Sequence, residues 1–184
     1  WQDLGRMLMN LRSDGVPDDV LIGTRYSLPT LSRTRIGSSE IPNAGRGLFA
    51  SVDCQQGDLL TCYPGDILVH HATGLRNVPD EFLEDGDDRL RSLLESNCIG
   101  VSEEYGILGL PNLDQDMAYV GHFANDGARP PRNEEDLERY SIESEHIANA
   151  QHMPLENLHV VTVALRDIQK DEEILVSYGP EFWS

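Results

Sequence analysis

Residues 119–130 read "YVGHFANDGARP", and in this stretch an apolar run gives way to a group of polar residues. A Gly-His pair, an Asn-Asp-Gly triplet and an Arg-Pro-Pro exit follow one another. Asn-Asp-Gly is typical of turns, because these residues tolerate backbone conformations that other residues avoid. Taken alone, the stretch indicates a polar turn, and a polar cluster that holds a ligand is the alternative.

Three further segments surround this stretch in a fixed order. They are "IPNAGRGLFAS" at 41–51, "LLTCYPGDIL" at 59–68 and, after the stretch, "RDIQKDEEILVSYGPEFW" at 166–183. The four segments together resemble the successive motifs of the SET-domain protein lysine methyltransferases. That family has a G-x-G-x-F-A turn, a Tyr-x-Gly-Glu strand, a Phe-x-Asn-His-Ser segment and an acid-Glu-Glu-Leu/Ile-x-x-x-Tyr-Gly strand. The resemblance covers about 32–183; each motif alone is modest, and the ordered set is highly specific.

The resemblance implies a mainly β fold of the β+α class, with small curved β-sheets and a few short helices. It also implies a C-terminal pseudoknot, in which the C-terminal segment threads under a loop to meet the Asn-containing motif. The residue pattern agrees, since short runs separated by Gly, Pro and Asn follow from about residue 26 and predict strands. The last of these runs, "ILVSYG" at 174–179, is predicted to be the final strand.

Two helices are expected from apolar spacing. The first lies in "WQDLGRMLMNLRSDG", and it is amphipathic, so it should pack on something, with a partner outside this chain as one option. We therefore divide the chain into an N-terminal helix with its lead-in at 1–25 and a SET domain at 26–184. The second helix is expected at 79–96, and its apolar face would carry Phe82, Leu83, Leu90, Leu93 and Leu94.

The cofactor implied by the resemblance is S-adenosylmethionine, with S-adenosylhomocysteine as the product and no metal. The backbone of Ala44, Gly45 and Arg46 is expected to cup it, because glycine lets a ligand approach the main chain closely. A tight turn without a ligand is the alternative. Asn125 is expected to hydrogen-bond the methionyl part, since an amide offers both a donor and an acceptor.

Further residues on the expected cofactor side belong to the same motifs and to the aromatic tail. They are His122, Phe123, Asp126, Asn149, Tyr178 and Trp183. Alternatives stay open for three of them: a structural role for His122, a core position for Phe123, and a simple turn for Asp126 with Gly127.

The catalytic residue implied by the resemblance is Tyr178, in "LVSYG", and Tyr63 is assigned to the same machinery. Tyr63, Tyr178 and Phe182 are expected to line the channel for the substrate lysine. A buried strand tyrosine with a satisfied hydroxyl is the alternative for Tyr178. The spacing after "DEEIL" and the glycine that follows favour catalysis.

The sequence departs from the family pattern at several places. Asp126 stands where the family usually has His, and Asp66 stands where the strand motif has Glu. The second Asn of the Asn-His motif is matched by Asn149 in "ANAQ", so the segment at about 129–147 is expected to be an insert. Its interleaved Glu and Arg predict a solvated helix. The cysteine-rich zinc flanks of many histone methyltransferases are missing.

Composition limits the possible partners. The formal net charge of −18 argues against direct binding to a nucleic-acid backbone and favours cationic partners, although surface solubility alone could also account for it. The three cysteines form no C-x-x-C pair, and an odd number is typical of a reduced intracellular compartment. The six histidines lack the spacing of a metal site. No apolar run approaches 18 residues, the length that would cross a membrane.

The function expected from the resemblance is methylation of a lysine in a basic protein segment, with a histone tail as the leading substrate. The chain would then be an intracellular, nuclear chromatin regulator that binds neither nucleic acid directly nor membranes. Methylation of a non-histone protein is one alternative. The other is a catalytically silent SET module that only binds partners, and the presence of both Tyr178 and Asn125 argues against it.

Overall fold

The computed structural model describes residues 1–82 and 88–183, which fold into short strands with a few helices. The strands are β1 (Thr34–Ser38), β2 (Arg46–Ala50), β3 (Leu59–Tyr63), β4 (Ile67–His70), β5 (Gly74–Arg76), β6 (Cys98–Gly100), β7 (Tyr105–Leu108), β8 (Ala150–Leu155), β9 (His159–Ala164) and β10 (Glu173–Ile174). The α-helices are α1 (Gln2–Ser13), α2 (Asp18–Gly23), α3 (Asp88–Asn97) and α4 (Leu137–Ile147). Short 3₁₀ helices lie at Asp80–Phe82, Met117–Tyr119, Gly121–Phe123, Glu134–Asp136 and Pro180–Trp183.

The strands form three small antiparallel sheets, which confirms the mainly β prediction. Their strand orders are β1-β2-β10, β3-β9-β8 and β5-β4-β7-β6. The Pro-Gly break at 64–65 separates β3 from β4, so one extended run of sequence supplies strands to two different sheets. A register shift between Leu59 and Thr61 interrupts the pairing of β3 with β9.

The C-terminal segment joins the two parts of the chain that carry Asn125 and Asn149. β10 pairs with β2, and directly after it Leu175 forms an isolated parallel bridge with Asn125. The backbone N–H of Val176 donates to the Asn125 carbonyl at 3.0 Å. The backbone N–H groups of Asn149 and Ala150 both donate to the Leu175 carbonyl at 3.0 Å. The segment therefore runs between the two halves of the split motif, as the pseudoknot expectation requires.

The final strand is shorter than predicted. "ILVSYG" was expected to be extended throughout, whereas β10 ends at Ile174. From Leu175 onward the chain leaves β2; Val176 donates to the Asn125 carbonyl, and the Leu175 carbonyl accepts from Asn149 and Ala150 instead. These partners are distant in sequence, so the local β pattern extends past the point where the sheet ends.

The N-terminal helix packs on this domain itself. Leu4 and Leu8 of α1 are buried in the same apolar cluster as Leu21 of α2 and Leu155 of β8. Such burial of apolar side chains is the main driving force for docking a short helix. The helix therefore has a partner within the chain, and the expectation of an outside partner is unnecessary.

The predicted helix at 79–96 is divided in the structure. A 3₁₀ turn spans Asp80–Phe82 and α3 spans Asp88–Asn97, while residues 83–87, including Leu83, lie outside the described residues. Leu90, Leu93 and Leu94 pack against a small core cluster of Ile67, Leu108 and Leu110. The apolar face of this segment thus covers the sheet that contains β4 and β7.

The insert helix is less solvated than its composition predicts. Most of α4 is exposed or half-buried, but Tyr140 and Ser144 are 0% and 1% exposed. They lie four residues apart, so both side chains point from the same face of the helix. The polar partners of these two residues, described below, explain why they can be buried.

Candidate active site

Two tyrosines from distant parts of the chain meet at a cavity of about 160 Å³. Tyr63 comes from the end of β3, and Tyr178 follows β10. The lining residues are Tyr63, Ser96, Cys98, Ile99, His122, Ala124, His152, Ser177, Tyr178 and Phe182. Aromatic and imidazole rings dominate this set, so the cavity suits a chain-like aliphatic group with one polar end.

The Tyr178 hydroxyl lies at the cavity and donates to the backbone carbonyl of Ala124 at 3.3 Å. Its backbone N–H donates to Asp126 Oδ2 at 2.9 Å. Burial, followed by the nearby charge of Asp126, raises the pKa of Tyr178 to about 12. The phenol is therefore protonated at neutral pH and remains a hydrogen-bond donor. Its contact with the carbonyl is long, so a better acceptor could replace it.

The Tyr63 hydroxyl has a firm partner. It donates to the backbone carbonyl of Asn97 at 2.6 Å, at the C-terminal end of α3. Its pKa is raised above the usual value, chiefly by burial and then by the nearby Tyr178. Tyr63 is thus held as a neutral wall of the cavity, and α3 fixes its position.

Two histidines complete the wall beside Tyr63. The rings of His122 and His152 lie 6.0 and 5.3 Å from the Tyr63 ring, centroid to centroid. Burial, helped by the positive charges of Arg25 and Arg46, lowers the pKa of His122 to about 3. Burial alone lowers the pKa of His152 to about 4, and His152 Nδ1 lies 3.0 Å from Thr162 Oγ1. Both imidazoles are neutral at physiological pH.

The ring nitrogens of His122 stand out within the described part of the chain. Both are buried and neither has a hydrogen-bond partner there. A buried polar atom without a partner is costly, so such an atom beside a cavity indicates a ligand or water contact. The structure therefore places His122 at the tyrosine cavity, whereas the sequence predicted it on the cofactor side. A contact with the cofactor stays a prediction.

The glycine turn before β2 is tied to Asn125 by a side-chain hydrogen bond. Asn125 Nδ2 donates to the Arg46 carbonyl at 3.0 Å and to Glu173 Oε1 at 3.4 Å. Gly45 has φ of +73°, a conformation that favours glycine, and nothing lies within 4 Å of where a Cβ would stand. Its open face could admit a ligand to the main chain of Ala44, Gly45 and Arg46.

Glu173 closes the other side of this turn. Its carboxylate accepts from Ser39 Oγ at 2.6 Å and from the Glu40 backbone N–H at 2.8 Å. A Cβ on Gly47 would overlap Glu173 Oε1, so a larger residue there would displace the Glu173 carboxylate. Glu173 belongs to the "DEEIL" motif, but nothing in the sequence indicated that it clasps the turn.

The Arg46 side chain extends away from the turn. Its guanidinium lies 4.5 Å from the centroid of the Phe123 ring and donates to Asp114 Oδ2 and to the Pro111 carbonyl, both at 2.7 Å. Phe123 is 7% exposed and packs in the same core cluster as Val120 and Val176. Phe123 therefore points inward, as expected, and also supports Arg46.

Asn149 is 1% exposed, and its amide is satisfied within the protein. Its Oδ1 accepts from the Leu175 N–H at 2.8 Å, and its Nδ2 donates to the Glu173 carbonyl at 2.8 Å and to Glu172 Oε1 at 3.2 Å. The side chain thus tethers the C-terminal segment. Contact of Asn149 with the cofactor stays a prediction.

A known protein-family model matches most of this chain. The family model described as "SET domain" matches residues 45–179, which include Asn125, Asn149 and Tyr178. The chain belongs to the SET-domain family. Members of this family are generally protein lysine methyltransferases that use S-adenosylmethionine.

Solved structures similar to this SET domain include two chains of large assemblies. One is a humanized mutant of the Chaetomium thermophilum Polycomb Repressive Complex 2 bound to the inhibitor GSK126, with 17% identity and a TM-score of 0.45. The other is apo ctPRC2 with two mutations in Ezh2, with 19% identity and a TM-score of 0.47. Each match covers 79% of this chain and 15% of the other chain. No curated protein sequence matches this chain significantly.

The Asn-Asp-Gly variant gives this SET domain a buried carboxylate. Asp126 Oδ1 accepts from the Ala128 N–H at 2.9 Å, which is the turn expected from the sequence. Its Oδ2 accepts from the Tyr140 hydroxyl at 2.5 Å, from Ser144 Oγ at 2.7 Å and from the Tyr178 N–H. Asp126 is therefore both a turn residue and a link between the insert and Tyr178.

The aromatic tail of the SET domain forms a row of rings. Tyr178 and Phe182 lie 4.8 Å apart between centroids, Phe182 and Trp183 also 4.8 Å, and Trp183 lies 5.8 Å from Tyr140. Phe182 lines the cavity, as expected. Trp183 packs against the insert helix, and its buried Nε1 has no partner within the described residues. Its contact with the cofactor stays a prediction.

Sequence reasoning did not assign several residues of this site, among them Glu173, His152, Tyr140 and Ser144. His152 lies on β8, and nothing local in the sequence distinguishes it from the other histidines. Tyr140 and Ser144 share one face of α4, but the charged composition of that helix is typical of a solvated surface, so the sequence did not mark them.

Proposed function

We propose that this SET domain transfers a methyl group from S-adenosylmethionine to the side chain of a lysine in a basic protein segment. The observation that carries the proposal is the cavity at which Tyr63, Tyr178 and Phe182 meet. Its ring-lined wall fits the aliphatic part of a lysine, and the Tyr178 phenol offers a polar contact to a nitrogen. The adjoining glycine turn and Asn125 supply the polar groups that a zwitterionic cofactor needs.

The residues beside the cavity fit S-adenosylmethionine. The open face of Gly45, the buried ring nitrogens of His122 and the amide of Asn125 offer a ligand main-chain and side-chain contacts. We infer that the main chain at 44–46 and the Asn125 side chain hold the cofactor, with Trp183 beside it. When bound, the cofactor supplies a methyl group activated by its sulfonium charge.

The residues around the cavity also affect the protonation of the lysine amine. A free lysine amine has a pKa of about 10.4 and is protonated at neutral pH, so it must lose a proton before it can attack. Tyr63, Tyr178 and Phe182 exclude water, and burial among rings lowers the pKa of an amine. Tyr178 is a neutral phenol at assay pH, so its hydroxyl can orient the amine and hold it close to the methyl group.

The proposed substrate is a basic segment, with a histone tail as the leading candidate and the nucleus as the corresponding location. The net charge of −18 supports a cationic partner, because the field of the domain would attract Lys- and Arg-rich peptides. A lysine in a non-histone protein satisfies the same chemistry. Within the described residues, no helix is both long enough and apolar enough to cross a membrane.

The test of the proposal is Tyr178→Phe, with Tyr105→Phe as the matched control. Tyr105 is a buried strand tyrosine that packs on His70, away from the cavity. We expect Tyr178→Phe to reduce the rate of radiolabelled methyl transfer by about 100-fold and to leave the Kd for S-adenosylmethionine, measured by calorimetry, within a factor of about two. Tyr105→Phe should keep both values. Near wild-type turnover of Tyr178→Phe would remove this residue from the reaction.

The substrate is identified by a methylation screen with the wild-type domain. Histone tail peptides and a peptide array of Lys-rich non-histone segments would be compared at equal concentration. Preference for one histone tail would support the leading substrate. Preference for another segment would indicate that the domain methylates a lysine of a non-histone protein. A domain that neither methylates any peptide nor binds S-adenosylmethionine would be a silent binding module.

A further inference from the structure

One oxygen of the Asp126 carboxylate accepts three hydrogen bonds, which come from two parts of the chain. Oδ2 accepts from the hydroxyls of Tyr140 and Ser144, both on α4, and from the backbone N–H of Tyr178. Asp126 itself is 9% exposed, so water contributes little to its solvation. A buried carboxylate requires such donors, and each of them fixes the position of the oxygen that the others share.

The insert helix is attached to the site mainly through these two residues. Tyr140 and Ser144 are the buried residues of α4, whereas Ile142 on the opposite face is 66% exposed. Ser144 Oγ also lies 2.7 Å from the hydroxyl of Ser177, the residue before Tyr178. The Tyr140 ring packs against Trp183, Trp183 packs against Phe182, and Phe182 packs against Tyr178. The helix therefore contacts the Tyr178 segment by hydrogen bonds and by ring packing.

We infer that Tyr140 and Ser144 are positioning residues for Tyr178, and that the insert helix is a structural support of the reaction centre. The inference rests on the proposed function, because it concerns the residue assigned to orient the lysine amine. Asp126 transmits the position of the helix to the Tyr178 main chain, and Ser177 provides a second link.

The Tyr178 hydroxyl is held less firmly than the Tyr178 main chain. Within the described residues the hydroxyl makes one long contact, of 3.3 Å to the Ala124 carbonyl, while the ring packs on Phe182 and on the core cluster that contains Phe123. The position of the hydroxyl therefore depends strongly on where the main chain places the ring. Loss of one donor to Asp126 Oδ2 frees that oxygen to move toward the remaining donors. The Tyr178 N–H then loses a fixed acceptor, and a misplacement of about 1 Å at a reacting group can cost about 100-fold in rate.

The alternative is that α4 only stabilises the fold. Tyr140→Phe and Ser144→Ala would then lower the free energy of unfolding, while the folded fraction would turn over normally. A positioning role instead predicts that kcat falls in protein that is fully folded at the assay temperature. The two roles are thus separated by kcat measured per folded molecule.

The experiment compares Tyr140→Phe, Ser144→Ala and the double variant with Ile142→Ala, which changes the exposed face of the same helix. Methyl transfer to a Lys-rich peptide gives kcat and KM, calorimetry gives the Kd for S-adenosylmethionine, and thermal unfolding gives the folded fraction. The ¹H–¹⁵N resonance of the Tyr178 amide reports its bond to Asp126 without any need for activity. Ser144→Ala is the second route to the answer if Tyr140→Phe does not fold.

We expect each single variant to lose about 10-fold in kcat, with KM and the cofactor Kd within about two-fold, and to shift the Tyr178 amide resonance. The double variant should lose less than the product of the two single losses, because both act through Asp126. Ile142→Ala should match the wild type throughout. Wild-type kcat with an unmoved Tyr178 amide in both single variants would overturn the inference.

Failure of the proposed function is a separate outcome. A wild-type domain that transfers no methyl group removes the proposed reaction, and the positioning claim is then decided by the amide resonance alone. A shift of the Tyr178 amide in Ser144→Ala supports the link from α4 through Asp126, and an unchanged resonance overturns it.

Discussion

Asn149 holds Leu175 in place with its side chain: Oδ1 accepts the Leu175 N–H at 2.8 Å, while the Asn149 N–H donates to the Leu175 carbonyl at 3.0 Å. The side-chain Nδ2 of Asn149 donates to the backbone carbonyl of Glu173. A single buried residue thus satisfies main-chain groups on both sides of Ile174, at the point where the C-terminal segment leaves its sheet. Asn149 is therefore a structural clasp of the pseudoknot.

Asn149→Ala should reduce the free energy of unfolding by about 3 kcal/mol, because buried main-chain groups lose their partners. Urea unfolding measures the change, and Asn112→Ala at an exposed position should stay within about 0.5 kcal/mol of the wild type. A loss below about 1 kcal/mol would contradict the clasp. The cofactor Kd of the same variant tests the predicted cofactor contact: an unchanged Kd counts against it.

Tyr63→Phe should be milder for catalysis than Tyr178→Phe. The Tyr63 hydroxyl is already bonded to the Asn97 carbonyl at 2.6 Å, so it serves the wall of the cavity more than the amine. We expect a stability loss of about 1–2 kcal/mol and a fall in kcat of less than about 10-fold. Urea unfolding and the methyl-transfer assay measure the two effects. A loss in kcat equal to that of Tyr178→Phe would give both phenols the same role.

Acid should destabilise the domain through its buried histidines. The folded pKa values of His122 and His152 are lowered to about 3 and about 4, while an unfolded histidine titrates near about 6.5. Between about pH 6.5 and 4 the unfolded chain therefore binds protons that the folded chain does not. Stability should fall as pH falls through this window, by about 1.4 kcal/mol per pH unit for each histidine.

The matched test of this pH dependence uses His152→Gln, which can keep the bond to Thr162, and His146→Gln on the exposed side of α4. Urea unfolding at several pH values gives the slope. His152→Gln should flatten the slope by the contribution of one histidine, and His146→Gln should leave it unchanged. Equal slopes for both variants would mean that His152 is protonated in the folded state.

Added salt should lower kcat/KM for a basic peptide. The domain carries a net charge of −18, and attraction between exposed charges is screened within about 8–10 Å at physiological ionic strength. We expect kcat/KM for a Lys- and Arg-rich peptide to fall several-fold between low and high salt, mainly through KM. The Kd for S-adenosylmethionine should change less, since its own net charge is small. A salt-independent kcat/KM would show that local contacts alone select the peptide.

The sequence predicts those residues whose structural role depends on their neighbours in the sequence or on an ordered set of motifs. Asn125, Tyr178 and the glycine turn were assigned to the site because their neighbours match the family pattern, and their contacts with cofactor and substrate stay predictions. Phe123 points inward, as its short helix implies. The small antiparallel sheets also follow from short β runs between Gly and Pro. These features depend on a few adjacent residues.

The features that could not be predicted depend on partners far away in the chain. Asp126 is bonded to residues 14, 18 and 52 positions away, so its sequence context shows only the turn with Ala128. The early end of β10 follows from hydrogen bonds to Asn149, which propensity cannot reveal. Tyr140 and Ser144 lie in a helix whose charged composition is typical of a solvated surface, and only the position of Asp126 explains their burial.

The path of the C-terminal segment between Asn125 and Asn149 also sets the order in which the site can form during synthesis. A ribosome releases a chain from its N-terminal end, so residues 119–150 emerge before the segment that joins them. Until Glu173–Tyr178 has emerged, Asn149 has no Leu175 to hold and the cavity lacks one of its walls. A nascent or truncated chain that ends before Tyr178 should therefore have neither a closed pseudoknot nor a complete cavity, and the proposed active site is completed only when the last segment folds.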